Sequence, residues 1–160
     1  MFFLAVSGVA AALAGLIFVG LSINLDHILE TPGLHLHGLE AVLLLVMTLA
    51  LALSALVPVQ TVGIFIGETA LAILVLTAIA IASTRPMLAV RRQYAASFAL
   101  KVASAIVVIG SLALSAITAG DRTTSFAWLA VAMILSIISA SMKGWQLLVL
   151  IELDNPSRRR

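Results

Sequence analysis

Three ionisable side chains, Glu68, Lys101 and Lys143, lie within long apolar segments of this 160-residue chain. An ionisable residue at the centre of a membrane span costs roughly 2.5–3.5 kcal/mol on insertion scales, so each of them needs a partner or a task. A carboxyl kept neutral by desolvation could bind and release protons in a relay. A hydrogen bond to a neighbouring helix would also satisfy Glu68, and the sequence leaves both roles open.

Composition identifies the surroundings of these segments as lipid. Hydrophobic residues make up 62% of the chain, charged residues only 10%, and the mean hydropathy is +1.22. An average soluble domain contains roughly 25% charged residues. The sequence therefore predicts an integral membrane protein. The absence of cysteine excludes disulfides and thiolate chemistry.

A transmembrane helix needs about 20 apolar residues, so uncharged runs of that length mark the spans. The first run lacks a preceding basic segment, which favours a retained helix over a cleaved signal peptide. Pro58, Gln60 and Gly63 divide one long run into a helical hairpin. We predict an all-α integral membrane bundle of five helices in one domain, residues 1–152. The spans are 2–24, 39–57, 62–83, 97–119 and 126–151, followed by a basic tail at 153–160.

Arginines beside the spans predict the orientation. Three of them, Arg85, Arg91 and Arg92, lie between spans three and four, and three more follow span five at 158–160. Five spans place both groups on one side, which the positive-inside rule makes cytoplasmic. The N-terminus is then outside and the C-terminus inside.

Depth along each helix predicts which polar residues meet. At about 1.5 Å per residue, Lys143 lies about 12 Å from the inner end of span five, and Glu40 opens span two on the same side. We therefore expect a cluster of Glu40, Lys101 and Lys143. Lys101 is near enough to the end of span four to extend to the interface instead. Other polar residues end spans one and five at this level, namely Asn24, Asp26 and Glu152.

Two helices carry polar residues at helical spacing. In span four these are Lys101, Ser104, Ser111, Ser115 and Thr118, and in span five they are Ser136, Ser139, Lys143 and Gln146. Span five is expected to turn this face inward. The two faces could pack through interhelical hydrogen bonds or line a path for water, ions or a small solute. Glu68 is expected at the level of Thr118, within reach of Arg122 or Asp121.

Span one carries a small-residue stripe, defined as Gly8, Ala11, Ala12, Gly15 and Ser22. Small residues let neighbouring helices approach closely in membranes. We expect this stripe to pack within the monomer, with packing against another subunit or partner as the alternative.

The histidines and the remaining motifs give little support to catalysis. His35 and His37 are two residues apart and do not share a helix face, and His27 with Asp26 would have to fold back to complete a metal site. A solvated loop is therefore the expectation. The sequence contains no nucleophile elbow, zinc-protease motif or nucleotide fingerprint, so we predict neither an enzyme nor a cofactor.

The stretch "ALAGLIFVGLSINLDHIL" at 12–29, the Pro32-Gly33 turn, Glu40 and the "LVPVQ" break resemble a family of small bacterial multi-helix membrane proteins. Some members carry a transferred name as modulators of a membrane-bound AAA protease. The resemblance covers roughly the first 70 residues and brings no catalytic motif. It implies an accessory or regulatory role in the bacterial cytoplasmic membrane. This chain has His27, and neither Lys nor Arg, where the family has a basic residue.

Two functional hypotheses follow from these observations. The first is a non-enzymatic, multi-pass membrane protein that acts through helix–helix contacts, as a homo-oligomer or within a larger membrane complex. The alternative is an oligomeric proton, cation or small-solute pathway lined by spans four and five, with Glu68 as the titrating group. The lipid bilayer is a partner in both, and nucleic acid in neither, because the net charge of +2 comes from arginines flanking apolar segments.

Overall fold

The computed structural model describes residues 1–25, 34–58, 60–88 and 95–153, which form five α-helices and no strand. The helices are α1, Phe2–Ile23; α2, Leu34–Ser54; α3, Val62–Leu88; α4, Ala95–Ile117; and α5, Arg122–Leu153. The prediction of an all-α fold is confirmed.

The ends of the helices differ from the predicted spans. α2 begins at Leu34 instead of residue 39, and α5 begins at Arg122 instead of residue 126. Hydropathy detects only the apolar part of a helix, whereas these helices include polar turns at their ends. Capping explains the start of α5, because the Asp121 carboxylate accepts a hydrogen bond from the Thr123 amide at 3.1 Å.

Three of the described helices contain segments long and apolar enough to cross a membrane. These segments are Phe2–Ile23 in α1, Val62–Thr84 in α3 and Arg122–Leu147 in α5. α2 and α4 contain shorter apolar segments, Gly38–Ser54 and Lys101–Ile117. The helices thus have the composition of a membrane protein.

The helices α2 to α5 form a closed bundle. α2 packs on α3, α3 on α4, α4 on α5, and α5 returns to α2, while α1 lies against α2 and α5. The interior contains large apolar side chains with at most 2% exposure, namely Leu45, Leu112, Leu129 and Met133. Large side chains of α2, α4 and α5 thus share this interior, and α3 adds the buried Thr69 and Ala72.

α1 packs through large side chains on glycines of its neighbours. A Cβ atom at Gly38 of α2 would lie 2.6 Å from a methyl of Leu21, and one at Gly144 of α5 would lie 3.1 Å from a methyl of Ile17. The small-residue stripe of α1 is instead exposed along its whole length. The expectation that it packs within the monomer is therefore wrong. The spacing of the small residues identified a face of α1 but not the helix that packs against α1.

Candidate functional site

Glu40 lies between two lysines from different helices. We call Glu40, Lys101 and Lys143 the ion cluster. The Lys143 ammonium donates to Glu40 Oε1 at 2.7 Å, and the Lys101 ammonium lies 3.1 Å from Oε2. The side chains of Glu40, Lys101 and Lys143 are 3%, 8% and 11% exposed. One carboxylate thus joins α2 to α4 and to α5.

The two lysines bind Glu40 differently. Lys143 donates a hydrogen bond to Glu40 Oε1, whereas the Lys101 ammonium forms an ion pair with Oε2 at 3.1 Å. Lys101 also donates to the Ser83 carbonyl of α3 at 3.3 Å. The expectation that Lys101 extends to the interface is wrong, because its ammonium is held inside the bundle.

The alternating directions of the helices explain why the residues of the ion cluster meet. Glu40 and Lys101 lie near the starts of α2 and α4, while Lys143 and Ser83 lie near the ends of α5 and α3. Helices that alternate in direction bring the starts of α2 and α4 level with the ends of α3 and α5. The cluster therefore marks one end of the bundle.

A second polar group lies at the other end, and we call Ser54, Gln60 and Glu68 the hairpin cluster. The Ser54 hydroxyl and the Gln60 amide both donate to Glu68 Oε2, the latter at 2.7 Å, and the Gln60 amide also donates to Ser54 at 2.5 Å. All three residues are half-buried. Ser54 was not foreseen as a partner, although the hairpin break at Pro58 places it close to α3.

The predicted partners of Glu68 form hydrogen bonds to other groups, although Arg122 contacts Gln60 of the same cluster. The Arg122 guanidinium donates to the Gln60 carbonyl at 2.9 Å, and the Thr118 hydroxyl donates to the Leu114 carbonyl of its own helix at 2.8 Å. Asp121 caps α5. The expected contact of Glu68 with this turn is therefore replaced by hydrogen bonds within the α2–α3 hairpin.

Hydroxyls on the polar face of α4 mostly bond to α4 itself. Ser104 donates to the Lys101 carbonyl at 2.9 Å, and Ser111 donates to the Val107 carbonyl at 2.8 Å. Ser115 differs, because it donates to the Ser125 carbonyl of α5 at 2.9 Å. Bonding to the preceding turn is the usual way in which serine satisfies its hydroxyl inside a helix.

The polar face of α5 turns inward over only part of its length. Ser136 is buried and donates to the Ala132 carbonyl at 2.8 Å, and Ser139 is half-buried beside the ion cluster. Gln146 is exposed. The inward face thus ends at Lys143, and Gln146 does not belong to it.

The remaining candidates lie apart from the ion cluster or outside the described residues. The Asn24 amide donates to the Gly20 carbonyl at 2.9 Å and so binds the end of α1. Asp26, His27 and the side chains of His35, His37 and Glu152 lie outside the described residues. Within the described part of the chain, no group of three or more His, Cys, Asp or Glu residues could hold a metal ion.

The two clusters can hold helices together, and they are widely separated. Glu40 and Ser54 are 14 residues apart on α2, which corresponds to about 21 Å along the helix. The buried residues of α2 between them are Ala41, Leu44, Leu45, Thr48, Leu51 and Ala52, and the Thr48 hydroxyl donates to the Leu44 carbonyl of its own helix.

Comparison with known proteins finds no matching family model, curated protein or solved structure.

Proposed function

We propose that this chain is a small, non-enzymatic integral membrane protein that acts through helix–helix contacts of α1 in the bilayer, as an oligomer or within a larger membrane complex. The observation that carries this proposal is the exposure of the small-residue stripe on α1. Cβ atoms added at Gly8 and Gly15 would have nothing within 4 Å. Close approach of another helix at such residues is a common basis of association in membranes.

The position of α1 supports this role. α1 contacts α2 and α5 but lies outside the closed bundle of α2 to α5. Its buried residues are few, namely Val6, Ser7 and Ala10. A helix attached on one side leaves the opposite side available to a partner without disturbing the interior.

A solute pathway through the monomer has less support. The hydroxyls of Ser104, Ser111 and Ser136 donate to carbonyls of their own helices, and apolar side chains occupy the interior between the two clusters. Water-filled paths need polar groups that remain available to the solute. These contacts support the accessory role over a proton, cation or small-solute pathway through a single copy of the chain.

We further propose five spans with a cytoplasmic C-terminus. The arginines at 91–92 follow the end of α3 and those at 158–160 follow the end of α5, and these two helices run in the same direction in an alternating bundle. Reporter fusions at the two termini test this topology. Both termini on one side of the membrane would contradict it.

Cross-linking of single-cysteine variants tests the proposed role of α1 directly, because the natural chain has no cysteine. Cysteine is introduced at Ala12, on the stripe, and at Gly15 one turn away. The controls are Ala10→Cys, at a buried position on the same helix, and Leu74→Cys, at an exposed position on α3.

We expect oxidation in native membranes to link the Ala12 and Gly15 variants to a second copy, or a bifunctional thiol–amine reagent to link them to a larger partner. The Ala10 and Leu74 variants should remain monomeric. Equal cross-linking at Leu74, or none at the stripe, would contradict the proposal.

A further inference from the structure

An apolar groove lies between α1 and α5, at the end of the bundle that contains the ion cluster. Its volume is about 230 Å³, and its walls include Ile17 and Leu21 of α1, Gly38 of α2 and Trp145 of α5. Apart from the Ser141 hydroxyl, its described lining consists of aliphatic residues, glycines and this tryptophan. Apolar spaces of this kind exclude water and take up hydrophobic molecules.

The groove exists because α1 packs along α2 and meets α5 over a shorter length. The two outer helices touch where Ile17 reaches Gly144, which has no side chain to fill the space beside this contact. Leu16 and Trp145, each 69% exposed, flank the opening. The groove therefore faces whatever surrounds the bundle.

Lipid is the expected surroundings of this groove. Its lining residues belong to the apolar segments Phe2–Ile23, Gly38–Ser54 and Arg122–Leu147. On α1 the groove extends from Leu13 to Leu21, which corresponds to about 12 Å along the helix. In a bilayer, the apolar molecules that reach such a narrow space are acyl chains.

Basic residues follow the helices that end on this side of the bundle. The arginines at 158–160 follow the end of α5, and those at 91–92 follow the end of α3. We call this side the basic end. Clusters of arginine next to a membrane helix attract the headgroups of anionic lipids. The charge of this end and the apolar lining of the groove thus suit the two parts of one molecule.

We propose that the groove binds an acyl chain of an anionic phospholipid whose headgroup lies at the basic end. The chain follows α1 from the level of Leu21 toward Leu13. Gly15 of the small-residue stripe and Ile17 of the groove are about 160° apart around α1. The lipid therefore lies on the opposite face of α1 from the stripe and goes beyond the association proposed above without competing with it.

The two tryptophans of the chain give a matched pair of reporters on one helix. Trp145 lines the groove, whereas Trp128 is an exposed residue near the start of α5 that does not line it. Trp128→Phe and Trp145→Phe each leave a single reporter. Each full-length variant is reconstituted in phosphatidylcholine vesicles that contain a low fraction of brominated lipid, either phosphatidylglycerol or phosphatidylcholine. Bromine on the acyl chains quenches tryptophan fluorescence on contact.

We expect brominated phosphatidylglycerol to quench Trp145 roughly fivefold more than brominated phosphatidylcholine, the preference that about one arginine near the headgroup provides. The two lipids should quench Trp128 equally, and comparing them at the same tryptophan cancels any difference in depth. The same ratio at both tryptophans would overturn the proposal in favour of unselective lipid. Weaker quenching of Trp145 than of Trp128 by both lipids would overturn it in favour of a protein segment in the groove.

Filling the groove tests where the lipid lies. Ser141 is exposed and lines the groove, so Ser141→Phe should occupy it without disturbing the interior. Met142→Phe is the matched control, because Met142 is exposed at the same depth and does not line the groove. In the Trp128→Phe background, we expect Ser141→Phe to abolish the preference for phosphatidylglycerol at Trp145 and Met142→Phe to retain it. A preference that survives Ser141→Phe would contradict binding in the groove.

Discussion

The two ends of the bundle are held together in different ways. At the end containing the ion cluster, one carboxylate joins residues 61 and 103 positions away along the chain, from α4 and α5. At the other end, the side chains of the hairpin cluster join residues within 14 positions, from α2, α3 and the turn between them, and the one longer contact is an exposed hydrogen bond from Arg122 to the Gln60 carbonyl. Long-range buried ion pairs fix how distant helices assemble, whereas short-range hydrogen bonds fix a hairpin that forms locally.

The two clusters also differ in their exposure to solvent. The three charged groups of the ion cluster have little contact with solvent, so a lost partner is not replaced by water. The residues of the hairpin cluster are half-buried, and water or lipid headgroups can replace a lost partner. The stability of the bundle should therefore depend more on the first end than on the second.

The largest expected effect is that of Lys143→Ala. This change leaves Glu40 buried without its hydrogen-bonded partner and should lower the free energy of unfolding by about 3–5 kcal/mol. Equilibrium unfolding in detergent measures it. The control is Gln146→Ala, an exposed polar position on the same helix, which should be within about 0.5 kcal/mol of the natural chain. If the two variants were equally stable, the claim that the stability of the bundle depends most on the ion-cluster end would be contradicted.

Packing of α1 near the ion cluster should give the next effect. Gly38→Ala places a Cβ atom 2.6 Å from a Leu21 methyl, so α1 must shift or Leu21 must change rotamer. Because the close atom is the end of a flexible side chain, we expect Gly38→Ala to be about 1–2 kcal/mol less stable than an unhindered glycine-to-alanine change in the same unfolding measurement.

Gly110→Ala on α4 is the matched control, since its Cβ would have nothing within 4 Å. Alanine is the better helix former, so this variant should be neutral or more stable. A Gly38→Ala variant as stable as Gly110→Ala would show that α1 is not seated on Gly38.

At the hairpin end, Glu68→Ala should cost only about 1 kcal/mol, because Ser54 and Gln60 can bond to each other and to solvent. Glu68→Gln retains an acceptor oxygen and should recover part of this loss. Unfolding in detergent compares both variants with Lys143→Ala. A loss from Glu68→Ala as large as that from Lys143→Ala would contradict the proposed contrast.

The smallest effect is expected at Asp121, in the turn before α5. Hydrogen bonds from the Thr124 hydroxyl and the Thr123 amide lower the pKa of Asp121 below its ordinary value of 3.8. The folded state therefore binds fewer protons than the unfolded state. This contribution is complete above pH 3.8 and is lost as the pH falls through the lowered pKa.

Asp121→Asn should accordingly be slightly less stable than the natural chain at neutral pH, and the difference should disappear in strong acid. Melting temperatures measured from pH 7 downward give the comparison. A difference that grows on acidification would have the wrong sign for a lowered pKa.

The sequence was sufficient to predict five helices because long uncharged runs are a strong signal. It located the ion cluster because depth along each helix placed Glu40 and Lys143 at one level, and a buried lysine needs a counterion. The hairpin cluster depends on the path of a short turn, which hydropathy does not determine. The sequence therefore predicted Thr118, Arg122 or Asp121 near Glu68 in place of Ser54 and Gln60.

The face of α1 was mispredicted for a different reason. Small residues at helical spacing show where a helix can approach closely, but they do not identify which helix approaches. In this structure the close approach occurs at Gly38 of α2 and at Gly144 of α5, and Gly144 ends a row of small residues spaced by four on α5, namely Ala132, Ser136, Ala140 and Gly144. Side-chain volumes on both helices decide such contacts, and a single sequence does not reveal the pairing.

A double-mutant cycle on Glu40 and Lys143 tests most directly whether the ion cluster fastens the bundle. We predict that Glu40→Gln combined with Lys143→Met is more stable, by about 1–3 kcal/mol, than the sum of the two single losses, because the double variant removes both members of the Glu40–Lys143 pair. Lys101 loses the Glu40 carboxylate in both the single Glu40→Gln variant and the double variant, so that loss cancels in the cycle. Additive losses would show that the 2.7 Å contact between Lys143 and Glu40 does not hold α2 to α5, and would contradict the account.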